Sequence, residues 1–416
     1  MRAETSPQRL RPAILAYLQR AVLTVSLFAV VSQGVGDTPP PAPPVPRFRA
    51  VNIDTKVEIG YGVAVADVDG DGRKDILLAD KRLIVWYRNP TWEKHVLVTD
   101  LTPLDHVCVA AADIDGDNKA EVAAGAGWNP GDTLTSGSVH FLLPPADRAG
   151  RWEAVALPHE PTVHRMRWVR DGSGKYRLVV VPLHGRGNKD GEGAGARILA
   201  YRPPENPRAP WTTERIDDTL HRTHNFDVVP WDADAAEELL VAAAEGVFLF
   251  DRGPDDRGSE RWRRTQLVGG ADFPGAGEVR SGRLPGGRRF LVTVEPMHGS
   301  AVAVYTAPDA AQGKGLWRRR VIDDTLREGH ALGCGDLLGV GSDQVVAGWR
   351  GPNGEGKVGI RLYTPLDSAG RQWRQTTIDD AIACEDLTLA DLNGDGKLDI
   401  VASGRATRNL KVYFGE

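Results

Sequence analysis

Residues 106–127 read HVCVAAADIDGDNKAEVAAGAG, and they are followed by SVHFLLPP at 138–145 and by RWEAVALP at 151–158. Short runs rich in Val, Ala and Leu alternate in this stretch with Gly, Asp, Asn and Pro. That alternation is typical of short β-strands joined by tight turns. The stretch therefore predicts a structural unit of three or four strands.

The same plan recurs along the chain of 416 residues. In six repeats a tryptophan is followed, 12 to 16 residues later, by a residue that can bind a ligand or do chemistry, and four of these residues are histidines. The pairs are Trp92/His106, Trp152/His164, Trp211/His224, Trp262/Glu278, Trp317/His330 and Trp373/Glu385. A repeat of roughly 40 to 60 residues made of short strands predicts propeller blades rather than a helical solenoid.

The strand pattern starts at seven positions, which predicts seven blades. They are Tyr61, His106, His164, His224, Glu278, His330 and Cys384. The last repeat stops after LKVYFGE without an outer strand, whereas an unassigned strand-like run, RFRAVNID, occupies residues 47–54. We therefore predict an all-β fold over residues 47–416, a seven-bladed β-propeller closed by an N-terminal strand that completes the last blade.

The first 46 residues lack this pattern. Four arginines precede the apolar run AVLTVSLFAVV at 21–31, which is too short to span a bilayer as a stable helix. Residues 1–36 are therefore predicted to be a signal peptide, with an uncleaved anchor as the alternative, and the proline-rich residues 37–46 to be a spacer. The mature protein is expected to be secreted or periplasmic, with no membrane partner after cleavage.

Composition and missing motifs exclude several classes of function. The chain has 51 Lys and Arg against 56 Asp and Glu, a formal net charge of −5, and no dense basic run, so nucleic acid is not an expected partner. Neither the nucleophile elbow of serine hydrolases nor a phosphate-binding loop occurs. Cys108, Cys334 and Cys384 lie in apolar runs and are interpreted as small core residues. The sequence does not indicate an oligomeric state.

Three repeats carry an acidic loop of the form DVDGDGRKD. Oxygen ligands at positions 1, 3, 5 and 9 of a tight turn can wrap one calcium ion, whereas magnesium prefers a smaller shell that retains water. The candidate ligands are Asp67, Asp69, Asp71 and Asp75; Asp113, Asp115, Asp117 and Glu121; and Asp391, Asn393, Asp395 and Asp399. The other blades, including PWDADAAEE in blade four, lack this spacing around a glycine turn. Calcium is therefore expected to be structural.

These loops and the blade pattern resemble the FG-GAP or VCBS type of seven-bladed propeller. The resemblance covers essentially all of the chain after the spacer. It implies the fold and the calcium loops, and it leaves function open because many activities share one fold.

Blade topology predicts where the polar residues converge. The start of a first strand and the end of a second strand lie on one face of the disc, opposite the acidic turns. The first-strand residues at this mouth of the channel are His106, His164, His224, Glu278, His330 and Glu385. The second-strand ends add Trp128, Asn129, His184, Arg186, Glu245, Glu295, His298, Trp349, Arg350 and Arg405.

Six of the ten histidines fall in this set, which indicates a functional mouth. Imidazoles supplied by several blades can hold a divalent transition metal such as Zn²⁺ or Mn²⁺. The candidate ligands are His106, His164, His224 and His330. Trp128 and Trp349 are candidates for stacking on sugar rings, or alternatively for packing at the rim.

Four phrases, HRMRW at His164, THNFD at Thr223, EPMHG at Glu295 and EGHALGCGD at Glu328, resemble the propeller of the aldos-2-ulose dehydratase family. The resemblance implies a metal at the mouth and removal of water from a keto-sugar. The cupin and lectin-like parts that follow the propeller in that family have no counterpart in this sequence.

For such a β-elimination, the candidate proton acceptors are His298, His184 and Glu278, and Arg350 or Arg186 could hold the sugar hydroxyls. The hypothesis is an exported, metal-dependent carbohydrate lyase or dehydratase, a carbon–oxygen lyase acting on a keto-sugar or keto-glycoside. The alternatives are a non-catalytic, calcium-stabilised propeller that binds carbohydrate or protein, a polysaccharide lyase, and a plain scaffold. The enzyme ranks first because of the histidine cluster.

Overall fold

A computed structural model describes residues 43–254, 258–308 and 315–416. The predicted signal peptide, 1–36, and most of the spacer, 37–46, lie outside the described residues. The described part of the chain consists of strands and loops, and it contains no helix long and apolar enough to cross a membrane.

Seven four-stranded antiparallel sheets form the fold, and the strands of blades one to four follow one another along the chain. Blade one is β2 (Gly62–Ala66), β3 (Asp75–Asp80), β4 (Leu83–Arg88) and β5 (Glu93–Thr99). Blade two is β6 (Cys108–Ala112), β7 (Glu121–Ala126), β8 (Ser138–Leu143) and β9 (Glu153–Leu157). Blade three is β10 (Val163–Arg170), β11 (Tyr176–Pro182), β12 (Ile198–Arg202) and β13 (Thr212–Asp217). Blade four is β14 (Thr223–Val229), β15 (Glu238–Ala243), β16 (Val247–Pro254) and β17 (Glu260–Val268).

Blades five and six have the same order, and blade seven takes its fourth strand from the other end of the chain. Blade five is β18 (Glu278–Arg283), β19 (Arg289–Glu295), β20 (Ala301–Thr306) and β21 (Arg318–Asp323). Blade six is β22 (Gly329–Gly335), β23 (Gln344–Trp349), β24 (Gly359–Pro365) and β25 (Trp373–Asp379). Blade seven is β26 (Cys384–Ala390), β27 (Asp399–Gly404), β28 (Asn409–Gly415) and β1 (Phe48–Asp54).

The first strands of the blades form the inner ring. Each contacts the first strand of both neighbouring blades, and β2 contacts β26, so that the ring is closed. In blade seven, β1 pairs antiparallel with β28, with Val51 opposite Val412. Val51 and Ile53 pack on the core between blades seven and one. The prediction of an all-β, seven-bladed propeller is confirmed.

The hydrophobic core lies between neighbouring blades, because each sheet is covered on both faces. The second strands are accordingly almost fully buried, as the run Asp75–Asp80 shows. Between blades one and two, for example, Leu77 and Trp86 pack against Val109 and Val122. Burial of both faces explains why these second strands read as continuous apolar runs rather than as alternating ones.

The three cysteines are free, and each one packs against a glycine. A β-carbon added to Gly125 would lie 2.5 Å from the Cys108 sulfur, and one added to Gly282 would lie 2.5 Å from the Cys334 sulfur. Burial raises the pKa of the Cys108 thiol to about 12. Cys108 and Cys384 are buried as predicted, whereas Cys334 is half-buried on the channel wall.

Buried tyrosines of third strands join neighbouring blades through carboxylates. The Tyr363 hydroxyl donates to Asp323 at 2.6 Å, and the Tyr413 hydroxyl donates to Asp379 at 2.7 Å. Tyr87 of blade one donates in the same way to Asp54, the last residue of β1. In each case the carboxylate ends the outer strand of the preceding blade, so these hydrogen bonds stabilise the contacts between blades.

Candidate metal centre at the channel mouth

Three histidines stand at the starts of inner strands and share one hydrogen-bond pattern. His164, His224 and His330 are all buried, and the Nδ1 nitrogen of each faces a backbone carbonyl of the next blade. The distances are 2.7 Å from His164 to the His224 oxygen, 3.0 Å from His224 to the Gly277 oxygen and 2.5 Å from His330 to the Glu385 oxygen. A carbonyl only accepts, so Nδ1 carries the proton and Nε2 keeps its lone pair. Metal-binding histidines are oriented in this way.

Two of these histidines meet a third one that comes from a loop. His298 follows β19 and holds a backbone φ of +57°, which is unusual for a residue other than glycine. Its Nε2 lies 2.8 Å from the Nε2 of His224, and its ring centroid lies 4.7 Å from that of His330. One ring nitrogen from each of His224, His298 and His330 lies within 4.8 Å of the other two. We call these three residues the histidine triad.

The environment keeps the triad uncharged. Burial lowers the pKa of His224 and of His330 well below the usual value, and the positive charges of Arg165 and Arg350 act in the same direction. Burial and the neighbouring His224 lower the pKa of His298 to about 2. A metal ion needs the lone pair of a neutral imidazole, so the residues present fit a divalent transition metal.

The predicted metal ligands His106 and His164 are not members of the triad. Nε2 of His106 accepts a hydrogen bond from the Leu101 amide at 3.2 Å. Nε2 of His164 lies 3.3 Å from a guanidinium nitrogen of Arg165, which occupies its lone pair. The structure thus joins His224 and His330 with His298, which the sequence pattern placed among the proton acceptors.

Two other predicted catalytic residues lie on the rim. His184 borders a cavity of about 390 Å³ together with Leu134 and Lys189. Arg186 donates to the Leu134 carbonyl at 2.6 Å and is exposed. These contacts do not join His184 or Arg186 to the triad, and their roles in proton transfer and hydroxyl binding stay predictions.

Glu278 stands behind His224 rather than in the open mouth. One carboxylate oxygen lies 3.2 Å from the Nδ1 of His224, and the other accepts a hydrogen bond from the Asn225 amide at 2.7 Å. Burial raises the pKa of Glu278, and the nearby Arg280 and Arg165 charges oppose that rise. The predicted role of Glu278 as a proton acceptor stays a prediction.

The remaining predicted residues are held by neighbours. Glu385 is buried and accepts hydrogen bonds from Arg350 at 2.7 Å and from Arg405 at 2.8 Å, so Arg350 is tied to the wall of the mouth. Trp349 is 1% exposed and donates to the Lys357 carbonyl, which makes it a core residue. Trp128 is half-buried with its ring 4.8 Å from that of His164, so it remains a candidate for contact with a sugar.

Arg165 is the site residue that sequence reasoning missed. It is 4% exposed, and its Nε and one terminal nitrogen have no hydrogen-bond partner among the described residues. It lines the central cavity, about 640 Å³, with Arg167 and Arg280 and with the carboxylates Asp227 and Asp386. A buried donor without a partner is costly, so these nitrogens require an acceptor from water or from a ligand in the cavity. The phrase HRMRW contained Arg165, but it did not reveal where the guanidinium points.

The acidic loops lie at the other end of the inner strands, between first and second strands. Side-chain oxygens of Asp67, Asp69 and Asp71 lie close enough to hold one cation, and so do those of Asp113, Asp115 and Glu121. Burial raises the pKa of Asp75 and of Glu121 to about 7. In the third predicted loop, Asp391 accepts hydrogen bonds from the Gly394 and Gly396 amides, as Asp67 does from Gly70 and Gly72. Calcium at these loops stays a prediction.

The seven four-stranded sheets define the class as a seven-bladed β-propeller, and residues 67–124 match the FG-GAP-like repeat family. Residues 136–308, which contain His164, His224 and His298, match the family described as aldos-2-ulose dehydratase, beta-propeller domain. The two resemblances noted in the sequence are therefore confirmed.

A curated relative agrees with the second match. The chain is 25% identical over 302 residues to aldos-2-ulose dehydratase of Phanerodontia chrysosporium. The aligned region covers 66% of this chain and 31% of the relative. The match thus spans about a third of the relative's length.

Solved structures show the fold alone. A chain in the crystal structure of BBS1N in complex with ARL6DN superposes with a TM-score of 0.54 at 13% identity, covering 90% of this chain and 96% of that one. A chain of the mitotic checkpoint complex gives 0.51 at 13% identity, covering 97% and 99%.

Proposed function

We propose that the channel mouth is the active centre of a metal-dependent lyase that eliminates water, or a glycosyl group, from a keto-sugar. The observation that carries this proposal is the histidine triad, in which three neutral imidazoles from blades four, five and six converge on one point. The relationship to the propeller domain of a carbohydrate dehydratase supports the substrate class.

His224, His298 and His330 would hold the metal. Three protein nitrogens leave at least one coordination position open, which is the arrangement of catalytic rather than structural sites. When bound, a zinc or manganese ion supplies Lewis-acid polarisation of a substrate carbonyl. His298 serves better as a ligand than as the proton acceptor, because its Nε2 is directed at the Nε2 of His224.

Arg165 would complete the site from the channel side. Its two unpartnered donor nitrogens are buried beside His164, next to the triad. In a β-elimination the α-carbon gives its proton to a base, the C–O bond at the β-carbon breaks, a C=C bond forms, and the β-oxygen takes up a proton and leaves as water or as a sugar alcohol group. Negative charge develops on the carbonyl oxygen as the α-proton departs. Donors already fixed at such an oxygen stabilise that charge without reorganisation. We assign this role to Arg165, and we assign to Trp128 a stacking contact with the sugar.

The test combines metal content and product formation. Wild-type protein, after mild calcium chelation, is expected to retain one transition-metal ion per chain and to convert keto-sugars to an enone that absorbs in the ultraviolet. His224→Ala, His298→Ala and His330→Ala should each lose both properties. His221→Ala is the matched control, because His221 is a rim residue that pairs with Glu245 at 2.8 Å.

The outcomes separate the alternatives. Loss of activity in His298→Ala with full metal content would make His298 the proton acceptor instead of a ligand. A wild-type protein that holds no transition metal and forms no enone from 2-keto- and 3-keto-sugars would overturn the proposal in favour of a binding propeller. Export of the protein, inferred from residues 1–36, remains a prediction.

A further inference from the structure

The loop of blade four, residues 230–238, has the register of the three acidic loops. In those loops the amide of the second residue donates to the carboxylate of the ninth, as from Val68 to Asp75 at 2.8 Å. In blade four the Trp231 amide donates to Glu238 at 2.6 Å across the same spacing. Pro230 follows the first strand directly, as Asp67 does in blade one. Hence the loop is PWDADAAEE, and of its four acids those at positions 3, 5 and 9 occupy ligand positions of the acidic loops.

The sequence pattern rejected this loop because it has neither an acid at position 1 nor a glycine. The structure shows that the two turns inside it form nonetheless. The Asp234 amide donates to Asp232 at 2.9 Å and the Ala236 amide donates to Asp234 at 2.8 Å. The corresponding bonds in blade two, ending on Asp115 and Asp117, are 3.1 and 2.8 Å. These two amide-to-carboxylate hydrogen bonds thus form with Ala233 and Ala235 where blade one has Gly70 and Gly72, although the alanines do not share the positive φ of those glycines.

The carboxylates of this loop converge, and one oxygen of Glu238 lacks a hydrogen-bond partner. Ligand oxygens of Asp232, Asp234 and Glu238 lie within 4.8 Å of one another. Glu238 is 1% exposed, and its Oε1 is buried without a hydrogen-bond partner among the described residues. A buried carboxylate oxygen with acids beside it and no protein donor needs a proton, a water molecule or a cation, and the neighbouring acids favour the cation.

We propose that Asp232, Asp234 and Glu238 form a further divalent-cation site, selective for calcium. Oxygen donors from two exposed aspartates and one buried glutamate suit a hard cation, with water completing the shell. This site goes beyond the proposed lyase function and does not depend on it.

Surrounding charges set its affinity. The Arg289 guanidinium stacks on the Trp231 ring at 4.1 Å and donates to the Pro230 carbonyl, so a positive charge faces the site. The negative charge of the Asp251 carboxylate has the opposite effect, because it raises the pKa of Glu238 and adds to the negative potential at the site. With three carboxylates and a nearby arginine, the site is expected to be weaker than those of blades one and two, with a Kd on the order of 10⁻⁴ to 10⁻³ M.

The experiment counts calcium ions. Full-length protein is stripped with EDTA, reloaded with calcium and measured by equilibrium dialysis, in the wild type and in Glu238→Gln. Gln344 starts β23 in blade six and accepts the Leu338 amide at 3.0 Å, which shows that glutamine can occupy the first position of a second strand. Glu237→Gln is the matched control, since it removes the same charge one residue away, where Glu237 faces Arg170.

The variant Glu238→Gln is expected to bind one calcium fewer than the wild type and than Glu237→Gln at saturating calcium. Terbium luminescence gives a second readout, because Trp231 lies beside Asp232 and can sensitise a bound ion. Trp231→Phe should therefore lose part of the sensitised emission and keep the calcium count. Equal calcium counts in Glu238→Gln and Glu237→Gln, with both variants folded by circular dichroism in EDTA, would overturn the proposal.

Discussion

The Nε2 nitrogen of His298 lies 2.8 Å from the Nε2 nitrogen of His224, although 74 positions separate the two residues in the chain. His224 donates its Nδ1 proton to the Gly277 carbonyl, so its Nε2 carries a lone pair. Two ring nitrogens at this distance need a proton or a cation between them. Because His330 stands beside both rings, the site has the composition of a three-histidine metal centre.

Arg165 is predicted to act on catalysis and not on metal binding. Arg165→Gln removes the charged donors at the channel side of the triad, and loss of one such donor typically lowers kcat about 10²- to 10³-fold. Metal content should stay at one ion per chain. Steady-state kinetics and metal analysis of the same preparation check this. Arg208→Gln serves as control, because Arg208 is an exposed residue paired with Glu153.

Calcium removal is predicted to destabilise the propeller. Asp75 and Glu121 are buried carboxylates with other acids close by, so a bound ion is expected to lower the free energy of the folded state. A ligand at 100 times its Kd adds about 2.7 kcal/mol for each site. Thermal melts in EDTA should therefore lie several degrees below those in calcium, and Asp69→Asn should reduce the difference. Identical melts with and without calcium would contradict the assignment of these loops.

The N-terminal strand is predicted to contribute more stability than the residues before it. β1 pairs with β28, and its Val51 and Ile53 are partly buried. Its Asp54 carboxylate accepts hydrogen bonds from Tyr87 and Lys94. A chain that starts at residue 55 should melt at least roughly 5 °C below one that starts at residue 46, since it loses several kcal/mol of burial and hydrogen bonding. Calorimetry on both truncations measures this difference, and equal melting temperatures would show that β1 does not close the ring.

Stability is predicted to fall in acid because of the tyrosine–carboxylate links. Burial alone raises the pKa of Asp323, but hydrogen bonds from Tyr363 and Thr325 and the Arg361 charge outweigh it, so the pKa lies below 3.8. The pKa of Asp379 is lowered in the same way by Lys411. A carboxyl whose pKa is lower in the folded state stabilises the protein fully above the unfolded value and loses this contribution as pH falls through the folded value.

Urea unfolding of the wild type and of Tyr363→Phe between pH 7 and pH 3 tests that link. The variant should be less stable by about 1 to 3 kcal/mol at pH 7, the cost of a buried carboxylate that loses a donor. The difference should shrink only as the pH falls from the unfolded-state pKa of an aspartate through the lower folded-state pKa of Asp323, because the carboxyl is then protonated in the folded protein. A difference that stays constant over this range would assign the effect to packing of the ring alone.

The sequence predicted the blades because each blade is a local unit. A run such as VCVAAA followed by an acidic turn folds back on itself within 20 residues or so, and turn chemistry fixes where it does so. The Trp-to-His spacing placed His224 and His330 at the starts of inner strands, where the structure has them. The spacing could not show that His106 lies outside the triad, where its Nε2 lone pair accepts a hydrogen bond from the Leu101 amide.

The loop of blade four shows that a sequence motif can miss a loop whose register is kept. The loop PWDADAAEE lacks the glycines of the motif. The Trp231 amide nevertheless donates to the Glu238 carboxylate, as the Val68 amide donates to the Asp75 carboxylate. The hydrogen bond from the amide at position 2 to the carboxylate at position 9 defines the register, and a sequence motif detects it only when the turn residues are kept. Register is therefore better judged from the start of the second strand than from the letters of the turn.

The sequence by itself determined an all-β propeller of seven repeats, with acidic turns at one end of the inner strands and histidines at the other. Alternating apolar runs and turn residues are local signals, and neighbouring blades repeat them. Only the tertiary structure decided which imidazoles meet. The direction of a side chain depends on its rotamer and on its neighbours across blades, and His298 reaches His224 through a left-handed backbone conformation that no repeat pattern encodes.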